Sequence, residues 1–151
     1  MAVHIIADSS CDITQAEAAR MGIQVPPVTV CFGAQDYRDG IDLLGEEFYT
    51  MLAKGDCLPT TSQVTPWQFQ EALAVMQPGD GAVIVTVSGK LSGTLQSARI
   101  AASMIDYDRI HIIDSLSGAA GSSSELLISP VCPKRSRISS TIELWQQISS
   151  R

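Results

Sequence analysis

Hydroxyl-bearing residues gather at four places along this chain of 151 residues. Asp8-Ser9-Ser10 follows a short apolar run, Ser88 to Thr94 follows a second, and Asp114-Ser115 follows a third. Thr60-Thr61-Ser62 stands just ahead of a helix start at Thr65-Pro66. Hydroxyls and free backbone N–H groups converging at such loops suit an anionic oxygen ligand, a carboxylate or a phosphate. Lys90 is the one cation within these clusters. A dianionic phosphate normally takes more cationic support, whereas hydroxyls and amides can hold a single carboxylate, so the residue types lean towards a carboxylate. Ser, Thr and Asp also favour loops and N-caps for structural reasons alone, and Thr65 reads as a cap. Thr61 and Ser92 stand out because each lies a few residues ahead of a cap, free to point elsewhere.

Catalytic groups are scarce. A hydrolase joins a nucleophile to a base and an orienting acid. The only histidines, His4 and His111, fall inside predicted strands rather than at strand ends, where a histidine is more often a packed structural residue. No G-x-S-x-G elbow, G-x-G-x-x-G or G-x-x-x-x-G-K-[ST] loop occurs, so nucleotide binding lacks its usual phosphate cradle. Cys11, Cys31, Cys57 and Cys132 show no C-x-x-C spacing and no histidine at a zinc-ligand interval. Reduced thiols, no metal and no cofactor are expected.

The elements that must position these residues alternate in kind. Val3 to Ala7 reads as a buried strand, and Thr14 with Glu17 has capping-box spacing for a helix running to Met21, stopped by Gly22. Ile23 to Phe32 reads as a second strand confined to an edge or bend by Pro26-Pro27, followed by a polar turn region over Gly33 to Gly40 that allows a small hairpin. Leu44, Phe48, Met51 and Leu52 share one helical face, with Gly55 as the stop. Leu58 to Gln63 reads as a polar connection. Thr65-Pro66-Trp67-Gln68 opens a helix whose buried face is Phe69, Ala72, Leu73 and Met76, ending by Pro78-Gly79. Ala82 to Val87 is a strand, Leu95, Ala98, Ala102 and Ile105 mark a helix, and Arg109 to Ile113 is a further strand. Strand, polar loop, helix, strand is the rhythm of an α/β fold, a parallel sheet with helices on both faces in Rossmann-like layers. Ligands in such sheets bind beyond the carboxyl ends of the strands, where the hydroxyl-rich loops fall.

Composition agrees with a globular domain, at 45% hydrophobic and 17% charged residues. A formal net charge of -6 speaks against a nucleic-acid partner, which needs clustered cations. The start, MAVHIIADSSCDIT, has no basic region ahead of an apolar one, and no stretch has the apolar length of a membrane span. A cytoplasmic location without a membrane span is expected.

Four segments resemble the DegV family: IIADSSCDIT, IQVPPVTVCFG followed by YRDGIDL, TTSQVTPWQFQEAL, and VSGKLSGTLQSARIAA running on to IHIIDSLSGAAG. They span residues 3–121 in family order, and the pairing of T-S-Q with S-G-T-x-Q-S-A is specific. The resemblance implies a two-lobed, non-catalytic carrier of a long-chain fatty acid, held in a tunnel between the lobes and presented to a fatty-acid kinase partner. By motif position it implies Thr61 and Ser92 as the hydroxyls that hold the carboxylate. Ser62, Gly93 and Thr94 are expected alongside, with Asp8 and Ser9 supporting. Each buried CH₂ contributes about 0.8 kcal/mol, so the acyl chain would supply most of the affinity.

The chain departs from the family pattern in two places. Where the family reads T-S-Q-P-[ST], this chain has Thr61-Ser62-Gln63-Val64-Thr65. After Gly121 the family continues into an amphipathic helix and a second lobe, but here SSSELLISPVCPKRSR follows. The expected division is thus a DegV-like N-terminal α/β lobe over 1–121 and an atypical Ser/Pro/basic tail over 122–151, with at most a short helix over 142–148. A frameshift would explain the switch; sequencing the coding DNA tests this, and the idea fails if no alternative frame restores a family-like continuation. Two other readings remain: a serine-dependent acyl or phosphoryl hydrolase using the same loops, and a folded lobe with no ligand of its own.

Overall fold

The computed structural model describes residues 2–55, 57–105 and 109–118. The expected tail over 122–151 and its short helix lie outside the described residues. β1 (Val3–Ala7) and β6 (Gly81–Thr86) are the central strands of a parallel sheet, with β2 (Ile23–Gln24) outside β1 and β7 (Ile110–Asp114) outside β6. In-register pairs run from Val3 with Gly81 to Ala7 with Val85. Every residue of β6 is buried, which suits a strand covered on both faces.

The helices joining these strands start and stop where local chemistry dictates. Thr14 and Glu17 close a capping box on α1 (Gln15–Met21), and Gly22 ends it at φ 68°, a left-handed conformation that glycine adopts without strain. Thr65 and Gln68 do the same for α3 (Pro66–Leu73), with Pro66 in the first turn. α4 (Thr94–Ser103) follows β6. Phe69, Leu73, Ala98 and Ala101 pack on Ile6 and Ile84, so α3 and α4 cover one face of the sheet. Ile23 is level with Ile5, which is level with Val83, and it packs with Ile13 and Ala18. α1 therefore lies on the other face. That is the arrangement right-handed crossovers produce when the chain moves outward from the centre in both directions.

The structure corrects several expectations. Ile23 to Phe32 is not one strand. Pro26-Pro27 ends β2, and the chain re-emerges as β3 (Thr29–Phe32) in a separate antiparallel sheet. Proline cannot donate to a ladder, yet its carbonyl can accept: Pro26 O takes the Ser9 N–H and Pro27 O takes Gln68 Nε2 at 2.8 Å. The small hairpin that Gly33 to Gly40 allows is present: β3 turns through Gly33, at φ 60°, into β4 (Gln35–Arg38). Leu58 to Gln63 is more than a connection, for β5 (Thr60–Ser62) pairs with the other side of β3. One face of this sheet, carrying Val30, Phe32 and Tyr37, packs on Leu43, Phe48 and Met51. Phe48 and Met51 belong to α2 (Gly45–Lys54), whereas Leu44 and Leu52 of the expected face are exposed. Two helices end sooner than expected, so Met76 and Ile105 pack on the core from beyond α3 and α4. His4 packs as expected against Asp80 at 3.1 Å, but His111 is exposed on β7, the outermost strand on that side among the described residues.

Candidate functional site

The order β2-β1-β6-β7 reverses direction between β1 and β6, since the chain leaves β1 towards one edge and β6 towards the other. Loops beyond such a point part and leave a crevice at the carboxyl ends of the strands. A hollow of about 520 Å³ opens there. One wall is Ser9, Ser10, Asp12, Val87, Leu91, Ser92 and Gly93, from the loops after β1 and β6; the other is Val28, Val30, Asp39, Thr61, Ser62 and Gln63. Topology places the first wall, and the small antiparallel sheet supplies the second.

Thr61 and Ser92 thus face a common space. Thr61 is opposite Val30 in the ladder, so both side chains share the face that borders the hollow. Ser62 is opposite Thr29 and turns to the other face, where its hydroxyl interacts with the Cys31 thiol; Thr60 does likewise. The loop after β6 is wound on Ser88, whose carbonyl accepts the N–H groups of Leu91 and Ser92 at 2.9 and 3.1 Å. Ser92 Oγ accepts the Thr94 N–H at 3.2 Å and lies 3.0 Å from Thr94 Oγ1. It is therefore less free than its place before the helix suggests, although its hydroxyl proton can still turn towards a ligand.

Gly93 forms the floor beside Ser92, and the amide of Gln63 lies directly over it. Thr94 is fully buried and absent from the lining; its Oγ1 accepts the Val64 N–H at 3.3 Å. Asp8 is also buried behind the wall, accepting the N–H groups of Val87 at 2.7 Å and Ser10 at 3.0 Å. Burial pushes the Asp8 carboxyl above its usual range, with those two donors pulling the other way. Ser9 accepts the Val28 N–H at 3.0 Å and so ties β1 to the approach to β3. Asp8 and Thr94 brace the hollow from behind, Ser9 both lines it and ties β1 to the approach to β3, and Thr61, Ser92 and Gly93 border it. The remaining hydroxyl loop is structural too: Asp114 Oδ1 accepts the N–H groups of Gly89 and Leu116.

Several bordering residues carry no distinguishing signal in the sequence. Gln63 sits inside the T-S-Q motif, which is the signal that could have found it. Asp12 has φ 55° at the end of a short 3₁₀ turn, and Asp39 follows β4; nothing local predicts that both reach one hollow. Burial, and secondarily the charge of Asp39, raise the Asp12 carboxyl. Val28, Val30, Val87 and Leu91 supply apolar surface. No lysine, arginine or histidine lines the hollow among the described residues. His4 sits at the opposite, amino-terminal end of the sheet with Asp80, so this pair supplies no base to these hydroxyls. The arrangement can donate hydrogen bonds to an oxygen ligand and shelter apolar atoms beside it.

A family model described as "Uncharacterised protein, DegV family" matches residues 2–126. A DegV domain-containing protein of Caldanaerobacter subterraneus subsp. tengcongensis is 39% identical over 114 residues, which is 75% of this chain and 40% of that protein. The structure resembles the fatty-acid-binding DegV family protein of Thermus thermophilus, with a TM-score of 0.67 and 32% identity over 79% of this chain and 42% of that one. It also resembles a stearic acid-binding protein of Eubacterium ventriosum, with a TM-score of 0.70 and 27% identity over 78% of this chain and 42% of that one. The chain spans about two fifths of the length of the curated relatives it matches.

Proposed function

This chain belongs to the DegV family, and on that premise we propose that its hollow takes the carboxylate of a long-chain fatty acid. Thr61 and Ser92 are the proposed donors, from opposite walls. The observation that carries this reading is their meeting across a single hollow at the switch point of the sheet, with Val28, Val30, Val87 and Leu91 beside them. Hydroxyl donors to a charged oxygen give roughly 1.5–3 kcal/mol each. They fix which end of the molecule sits at the sheet, while apolar contact with the tail supplies the larger share of affinity at about 0.8 kcal/mol per CH₂. A volume of about 520 Å³ suits a head group and the first part of a tail.

The proposed role is that of a cytoplasmic carrier, presenting the acid group to a fatty-acid kinase partner without catalysing a step itself. No nucleic-acid partner is proposed. Among the described residues no helix is long and apolar enough to cross a membrane. Against the hydrolase reading stands the missing base: a serine without an imidazole or carboxylate in contact has nowhere to send its proton. Neither Asp12 nor Asp39 has a hydrogen bond to Ser92.

Native mass spectrometry of the purified chain after expression, with lipid extraction as a control, tests the proposal. A bound mass matching a C16 or C18 fatty acid that disappears on extraction is expected. A clean unliganded mass that stays unliganded on adding hexadecanoic acid refutes it and favours a lobe without a ligand of its own.

A further inference from the structure

We infer that Gln63 and Ser97 form a positioning pair that sets the span between Thr61 and Ser92, and thereby favours an acid head group over an uncharged one; the inference rests on the proposed function. Gln63 leaves β5 two residues after Thr61 and borders the hollow. Its Nε2 donates to Ser97 Oγ at 2.9 Å. Ser97 is 1% exposed in the first turn of α4 and does not line the hollow. The bond therefore couples a residue that borders the hollow to one that does not.

Between its two ends the Gln63 amide crosses Gly93 so closely that a Cβ there would collide with its oxygen. Gly93 has φ −75°, open to any residue, so glycine is needed for the close approach rather than for backbone freedom. One residue on, the Val64 N–H donates to Thr94 Oγ1 at 3.3 Å. Two hydrogen bonds thus staple the end of β5 to the start of α4, next to the Ser92–Gly93 floor. These bonds join the two most distinctive motifs of the sequence, T-S-Q and S-G-T-x-Q-S-A. A carboxylate held by two hydroxyls needs their separation fixed, whereas an ester carbonyl gripped by one does not. Loss of the tie should therefore weaken the acid selectively.

Ser97→Ala is the informative variant, because it reaches a ligand only through Gln63 and alanine suits a helix. Calorimetric titration of the full chain with hexadecanoic acid and with methyl hexadecanoate supplies the readout. The acid should bind about fivefold more weakly, the size of one neutral hydrogen bond, with ester affinity and Tm unchanged. Gln63→Ala should weaken the acid to the same extent, whatever it does to the ester through its own place at the hollow, and combining the two should add nothing to the loss of acid affinity. An unchanged acid-to-ester ratio in Ser97→Ala, or losses that multiply in the double variant, overturns the inference. If Thr61→Ala with Ser92→Ala weakens the acid and Ser97→Ala does not, the pair has no positioning role and the proposed function stands. If that first double variant binds the acid normally, or the unaltered chain does not bind it, the proposed function falls and takes this inference with it.

Discussion

Replacing Thr61 and Ser92 together by alanine removes both proposed donors, and the structure sets the size of the effect. Each hydroxyl bonded to a charged oxygen is worth roughly 1.5–3 kcal/mol, an upper total of about 6 kcal/mol if the two add. They do not add here, because both act on one carboxylate and groups sharing a partner couple. The hollow also opens to solvent, so water replaces part of what is lost. A combined loss of about 2–3 kcal/mol remains, equivalent to about 30- to 140-fold in Kd at 1.4 kcal/mol per decade. Methyl hexadecanoate is the control, since its tail contacts survive and it has no charge to lose. Stability should respond unevenly. Thr61 is exposed on a short edge strand and its removal should leave Tm nearly unaltered. Ser92 accepts the Thr94 N–H at the head of α4, so Ser92→Ala should cost about 0.5–2 kcal/mol, as loss of a cap does. Calorimetric titration with both ligands, paired with thermal unfolding of each single variant, separates the effects. An acid affinity within twofold of the unaltered chain, even with the expected fall in Tm, would refute the assignment of both residues.

Gly93→Ala should drive the Gln63 amide off its seat and out towards solvent, with little change in Tm, lowering acid affinity more than ester affinity as Ser97→Ala does; an unchanged acid-to-ester ratio counts against the close approach. Asp80 is hydrogen-bonded to the His4 side chain and accepts from the Ala2 and Gln77 N–H groups, and these partners, His4 foremost, hold its carboxyl at about 2, below the ordinary 3.8. The folded state therefore binds fewer protons than the unfolded one, so this stabilisation is complete above about pH 4 and is lost as pH falls towards 2. Asp80→Asn should flatten that acid limb in denaturant titrations between pH 5 and 2, and an unaltered slope contradicts the assignment. Phe69, fully buried between α3 and the sheet, should cost about 3–5 kcal/mol on change to alanine, read as a fall in urea midpoint at constant m.

Much of the parallel layer was legible because its signals are local. A capping box such as Thr14 with Glu17 needs only its own turn, and the apolar run of β6 reports a strand buried on both faces. The second sheet was hidden for the opposite reason. Thr60, Thr61 and Ser62 are polar and exposed, and they form a strand because β3 offers a partner some thirty residues away, a contribution that intrinsic preference does not contain. The double proline was legible as a break, but not as the point where the chain changes sheets. Within the site, Thr61 and Ser92 could be picked out by residue type and motif. Whether a hydroxyl faces the hollow or braces it could not, since that depends on which N–H arrives from elsewhere, as at Thr94 with Val64. Asp12 and Asp39 reach the hollow from a left-handed residue and a loop past a hairpin, with no shared pattern between them.

The double proline has one more effect. Because Pro26 and Pro27 lend their carbonyls to Ser9 and Gln68, the crossover between layers is anchored on both sides where a plain linker would swing. The proposed lipid head would then meet jaws that are already set, with most of the ordering cost met when the chain folded. Uptake should leave backbone amide exchange at Ser9 and Val28 little altered, with the response concentrated in side chains.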